Sequence, residues 1–197
     1  MNREALLRTI AEKGYDVGFG AKKTFATYDI VEKGPGWIAF LSFVVGLFGL
    51  IFEALAAKVP SALLLTAGVA ALYISFYKSR DYEDVGIKLT QLFNRLRDLY
   101  RSVQAGSDVN AAQAELSQIE NEYYSVSMSK QIFLTDWYAH YKFFAQLQID
   151  WIDEQLHFGL WKDKIPLTAK ATIVFIAFGL LGLCGYVGFD FWNNNCI

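Results

Sequence analysis

Two long apolar stretches, set almost end to end, constrain this chain more than anything else in it. Trp37 to Ala57 holds one charge, Glu53, and Val59 to Tyr77 holds none. Each reaches the roughly 20 residues that carry a helix across about 30 Å of hydrocarbon. Only Lys58 stands between them, and Pro60 suits the first turn of a new helix. So short a connection makes a tight transmembrane hairpin. A third stretch, Ala171 to Phe189, follows Pro166 and Lys170 and ends at Asp190 and Trp192. Trp37, Tyr77 and Trp192 sit at the edges, where amphipathic rings favour the headgroup layer. Buried helices of a soluble bundle are shorter and more charged than these stretches. A secretory signal is equally unsuitable, because 36 polar residues precede the first span and no cleavage-like exit follows it.

The chemistry that is missing narrows the reading. Of 197 residues, 54% are apolar and only 19% charged, which points to lipid. A net charge of −2 gives no basic surface for nucleic acid. His140 and His157 are too few for a histidine metal centre, and no HExxH, GxSxG or paired-cysteine motif occurs. Cys184 and Cys196 lie twelve residues apart, about 18 Å along a helix, too far to pair within one chain. The run Gly14 to Thr24 looks like a phosphate loop but puts Tyr15 where its first glycine belongs and Ala21 where its lysine belongs. No enzyme activity, cofactor or metal is expected.

Orientation follows from the basic residues. Of the 18 Lys and Arg, only Lys58 lies in the hairpin and none follows Phe189. The positive-inside rule then places the N-terminus in the cytoplasm and the hairpin tip and C-terminus outside, in a multi-pass membrane protein. The fold class is all-α. Its parts are cytoplasmic N-terminal amphipathic helices (1–36), the hairpin (37–78), a cytoplasmic helical region (79–164), and a third transmembrane helix with a short external tail (165–197).

Within the first part, Leu6, Leu7 and Ile10 mark one helix. Gly14 to Gly20 reads as a break, and a second helix runs from about Ala21 to Glu32. That second helix either lies on the membrane surface or packs on the stalk. After the hairpin, Val85, Leu89, Leu92, Leu96, Leu99 and Val103 recur at spacings of four and three, the seam of a coiled coil or tight helical pair. They are the candidates for joining subunits of a homo-oligomer. The second span and this stalk read as one helix, stopped at Gly106 with Ser107 or Asp108 as the next cap. Ala112, Leu116, Ile119 and Tyr123 share a face of a shorter helix. A third, about Lys130 to Trp161, is crowded with aromatics including Phe133, Trp137, Tyr138, Tyr141 and Trp151. These either fill the core or set one edge on the inner leaflet.

Few residues single themselves out for function. Glu53 is the one acid inside a span; it either reaches the outer interface, pairing with Lys58, or lines a pore. Gly179, Gly182, Gly185 and Gly188 recur every third residue and let another helix approach closely. Arg97 and Arg101 lie one turn apart and suit an anion, although Asp98, Glu83 and Asp84 nearby favour a solvated, paired surface. His140 reads as a hydrogen-bonded core residue.

Ala21-Lys22-Lys23-Thr24-Phe25-Ala26 ahead of a Trp37-led span, the close hairpin Trp37–Tyr77 and the long helix Arg80–Val103 together resemble the SLATT family over about residues 1–125. The resemblance implies a pore-forming or membrane-disrupting effector of bacterial antiphage defence, placed in the bacterial inner membrane. Such effectors accompany nucleotide-second-messenger systems such as CBASS, and kill or arrest the infected cell. It also implies a nucleotide messenger, or a sensor protein from the same operon, as the trigger. The alternative class is a membrane-anchored scaffold that presents its helical bundle to a soluble partner without conducting ions. A transporter would need broken helices or repeated halves, and neither is present.

Overall fold

The longest helix, α1 (Arg3–Gly49), runs for 47 residues, about 70 Å, through what the sequence divides into three elements. Asn2 starts it by accepting a hydrogen bond from the Ala5 N–H at 2.8 Å. The expected break at Gly14–Gly20 does not exist. Gly14 and Gly18 are one turn apart, and each is buried beneath an aromatic ring, Trp151 over Gly14 and Phe93 over Gly18. A Cβ at Gly18 would stand 2.8 Å from the Phe93 ring. These glycines permit close packing within a helix and do not end one. The boundary drawn at residue 36 also falls inside α1, at Pro35. The structure is a computed structural model that describes residues 2–126 and 128–195, with side chains given through Gly182.

Two compact units result, Met1–His157 and Phe158–Ile197. In the first, the inner half of α1 is the core of a helical bundle. Leu6, Ile10, Val17, Thr24 and Thr27 of α1 are fully buried. Around them pack α4 (Ser79–Gln104), α5 (Val109–Val126), α6 (Thr135–Gln146) and α7 (Asp150–Leu156). Leu89, Leu92, Leu96, Leu99 and Val103 of α4 are buried in this bundle, and Val85 is half-buried. The seam expected to join subunits is therefore occupied within the subunit, largely by α1. Each such leucine contributes about 2 kcal/mol through burial. α4 stops where Gly106 takes φ +104, and Asp108 caps α5 through the Ala111 N–H at 2.9 Å.

The outer half of α1 forms the hairpin with α3 (Lys58–Ser75), and a one-turn helix, α2 (Glu53–Ala56), lies between them. The first span does not continue to Ala57 as one helix. It ends at Gly49, and Leu50 to Phe52 turn the chain. Nor is the second span continuous with the stalk. α3 ends at Ser75 with Phe76 as its cap, and Lys78 is extended before α4 begins. The interruption lets α3 follow the outer half of α1 while α4 restarts in a register that buries Tyr82, Gly86 and Leu89. The aromatic segment is likewise two short helices. Leu134 (φ +69) precedes α6 and His157 (φ +51) ends α7. The break at Leu147–Ile149 lets α6 put Phe143 against Gly18 and α7 put Trp151 against Gly14.

In the second unit the Gly159 N–H donates to the Asp163 carboxylate at 2.9 Å, and α8 (Leu167–Asn195) follows. Its 29 residues make about 44 Å of helix. Every described element is helical.

Candidate functional site

The hairpin exposes almost everything it has. No residue of α3 is buried, and none of α1 beyond Val31. Trp37, Phe43, Leu63, Leu65 and Leu72 all face outwards. A water-soluble domain does not present so large a continuous apolar surface. α1 and α3 each contain a segment long and apolar enough to cross a membrane. Gly46 and Gly68 meet no atom within 4 Å where a Cβ would stand, so both leave room for another helix.

Glu53 and Lys58 occupy the hairpin tip. Glu53 is the first residue of α2, exposed at the end where a carboxylate complements the helix dipole, and Lys58 opens α3. Among the described residues no ion pair joins them. Glu53 thus belongs to the turn and not to the interior of a span. Gly179 and Gly182 lie on α8 with nothing within 4 Å. The surroundings of Gly185, Gly188, Cys184 and Cys196 lie outside what the structure describes.

Where bundle meets hairpin, polar groups bind α1 to its neighbours. The Asp29 carboxylate accepts from Lys33 at 2.7 Å and from Lys142 of α6. Burial alone would raise the Asp29 pKa, but the two lysine hydrogen bonds outweigh it and hold the carboxyl below its ordinary value. The Thr27 hydroxyl meets the hydroxyl of Thr135 at 3.1 Å and donates to Gln131. Tyr82 donates to the Lys130 carbonyl at 3.0 Å, and the Lys130 ammonium stands 4.6 Å over the Tyr77 ring. A few residues further out, Pro35 sits in mid-helix between Gly34 and Gly36. Proline has no N–H for the Val31 carbonyl, so α1 is least stiff between bundle and hairpin.

Among the clefts on the bundle surface, two adjoin aromatic and basic side chains. One, about 440 Å³, lies between α1, α4, α5 and the segment after α5, and is lined by Tyr15, Phe19, Lys23, Tyr123 and Gln131. Lys23 is held at its edge by Asp136 at 2.7 Å. Deeper along α1, burial pulls the Lys13 pKa down, but Tyr124 and Glu120 more than restore it and leave it raised. Lys22 is lowered by burial and by the charge of Lys142. The second cleft, about 230 Å³, is lined by Arg97, Arg101, Tyr100, Trp151 and Glu154. The local pairing expected for Arg97 and Arg101 is absent among the described residues, whereas Arg95 binds Glu122 at 2.6 Å. His140 packs edge-on against Phe19, with centroids 5.0 Å apart.

The polar junction was not legible beforehand. Only the i,i+4 pair Asp29–Lys33 carries a local signal; Lys142, Gln131 and Thr135 come from more than a hundred residues away. Among the described residues, no cluster of His, Cys, Asp and Glu has the geometry of a metal site.

The sequence profile of the family described as SMODS and SLOG-associating 2TM effector domain 6 matches residues 1–173. The match takes in the bundle, the hairpin and the aromatic segment, and stops seven residues into α8. It extends the resemblance seen over 1–125 through the whole first unit. No curated protein and no solved structure shows significant similarity to the chain.

Proposed function

The chain belongs to the SLATT family of two-transmembrane effector domains, and from that membership we propose that it permeabilises the membrane when its bundle is triggered. One observation carries the reading: α1 is at once the core of the bundle and a wall of the hairpin. A ligand or partner that favours one packing of α4 to α7 on α1 therefore biases the span directly, in proportion to its differential affinity for the two arrangements. The aromatic cleft beside Tyr15 and Phe19 is a place where a nucleotide messenger or a sensor protein would act.

In this reading copies assemble through their spans. Gly46 and Gly68 supply close approach on the hairpin, and the Gly179–Gly188 series does so on α8, which forms a third crossing. On the same reading the bundle lies in the cytoplasm of a bacterial cell and the hairpin tip and C-terminus lie outside, an orientation that the distribution of basic residues supports. Glu53 then stands at the outer mouth and attracts cations. The outcome is depolarisation that kills or arrests a phage-infected cell.

Reconstitution into liposomes with an ion-flux readout tests this. Leakage that rises with protein content, and falls for cations in Glu53→Gln, is expected. Liposomes that stay sealed around folded, inserted protein would leave the membrane-anchored scaffold instead.

A further inference from the structure

α6 crosses α1 obliquely, with its first turn beside Thr27 and Lys23 and its last beside Gly18 and Tyr15. Tyr138 and Lys142 reach Asp29, whereas His140 and Phe143 reach Phe19. Asp29 and Phe19 are ten residues apart on α1, about 15 Å, yet six residues of α6 cover both levels. One flank of α6 thus faces the hairpin and the other faces back along the bundle. Thr135, Ala139 and Phe143 are buried against α1. Trp137 and Tyr141 lie opposite these on the outer face of α6, Tyr138 lies on the flank that reaches Asp29, and Phe133 and Leu134 stand just ahead.

Much of this edge is apolar and exposed, although Lys142 stands 4.6 Å over the Tyr138 ring. Phe133 is 83% exposed, Tyr141 58% and Leu134 52%, and Leu134 holds a left-handed φ of +69. That conformation is unfavourable for a residue with a branched side chain, and here it belongs to one that also faces away from the core. The segment entering α6 is fixed at the level where the second span ends. Lys130 covers Tyr77, and its carbonyl accepts from Tyr82. Lys78 and Arg80, exposed at the same end of α3, supply positive charge there. Trp and Tyr beside cations are the side chains that favour a headgroup layer.

We infer that Phe133, Leu134, Trp137, Tyr138 and Tyr141 form a lipid-docking edge that rests in the phospholipid headgroup layer beside the hairpin. Through Lys142 and Asp29 the docked edge then holds the inner half of α1 at a fixed depth. The inference rests on the hairpin spanning the bilayer, so its test reads both.

Nitroxide labels go singly at Phe133→Cys, Tyr141→Cys, Leu65→Cys and Gln113→Cys of the full chain. Cys184 and Cys196 are changed to Ser, and the vesicles are phosphatidylethanolamine–phosphatidylglycerol. Power saturation compares accessibility to oxygen with accessibility to a water-soluble nickel chelate. The oxygen-to-nickel ratio at 133 and 141 is expected to exceed that at 113 several-fold and to approach the ratio at 65. Ratios at 133 and 141 equal to that at 113, with 65 lipid-like, would overturn the docking edge alone. A water-like 65 would overturn the hairpin reading and the edge with it. Spin–spin broadening at 133 or 141 would assign the edge to a second copy and overturn lipid as its occupant.

Discussion

Two glycines of one helix do different work. At Gly14 an added methyl group would run into the Trp151 indole, which is itself buried among Phe93 and Tyr100 and has nowhere to go. Gly14→Ala is expected to cost about 2 kcal/mol by overpacking, after a gain of about 1 kcal/mol in helix propensity. Gly20, whose nearest neighbours would be 3.8 Å away, is the control: Gly20→Ala leaves stability unchanged or raises it by about 1 kcal/mol. Denaturant melts in detergent compare the two. Asp29 gives a pH signature. Its folded pKa lies below the ordinary 3.8, so its ion pairs stabilise the fold fully above that value. That stability is lost as pH falls through the lower, folded value. Asp29→Asn should therefore lower stability near neutrality by about 2 kcal/mol and flatten the acid limb of the stability–pH curve. An unchanged acid limb would count against the Asp29–Lys142–Lys33 cluster.

At the level of elements, α1 departs most from what the residues suggest one at a time. Glycine at 14, 18 and 20 and the Gly34-Pro35-Gly36 triplet are local signals for stopping a helix, and both are overridden. Tertiary packing overrides the first, because small residues at i and i+4 admit the Trp151 and Phe93 rings. That spacing was readable; the rings that fill it come from distant helices and were not. At Pro35 the helix continues with one hydrogen bond fewer. Pro35→Ala restores that bond and removes a penalty of about 3 kcal/mol, so it should raise the melting temperature. If bending there transmits the trigger, the same variant should also reduce triggered leakage, which flux measurements on matched protein amounts would reveal. The leucine seam of α4 was legible as a buried stripe, but a stripe does not name its partner. That partner is α1, seventy residues earlier in sequence.

For the whole molecule, hydropathy length and the position of Lys58 defined the hairpin, because a lipid span is a requirement on composition alone. The SLATT resemblance was equally legible from the first 125 residues. The cross-chain junction and the crossing of α6 were not, since both depend on contacts between segments far apart in sequence. The asymmetry of basic residues makes a further prediction: with Cys184 and Cys196 changed to Ser, Lys58→Cys should react with an impermeant maleimide added to intact cells, and Asn110→Cys only after lysis. The unbroken α1 also governs the order of events during synthesis. Its inner half leaves the ribosome first, yet the helices that cover it are complete only at residue 157, on the far side of the hairpin in sequence. At 5–20 residues per second that interval is roughly 6–25 s. Until α4 is made Leu6, Ile10 and Val17 lack native neighbours, and their cover closes only with α7, while the hairpin is already available for insertion. A nascent chain of this design must commit to lipid before its soluble part can close.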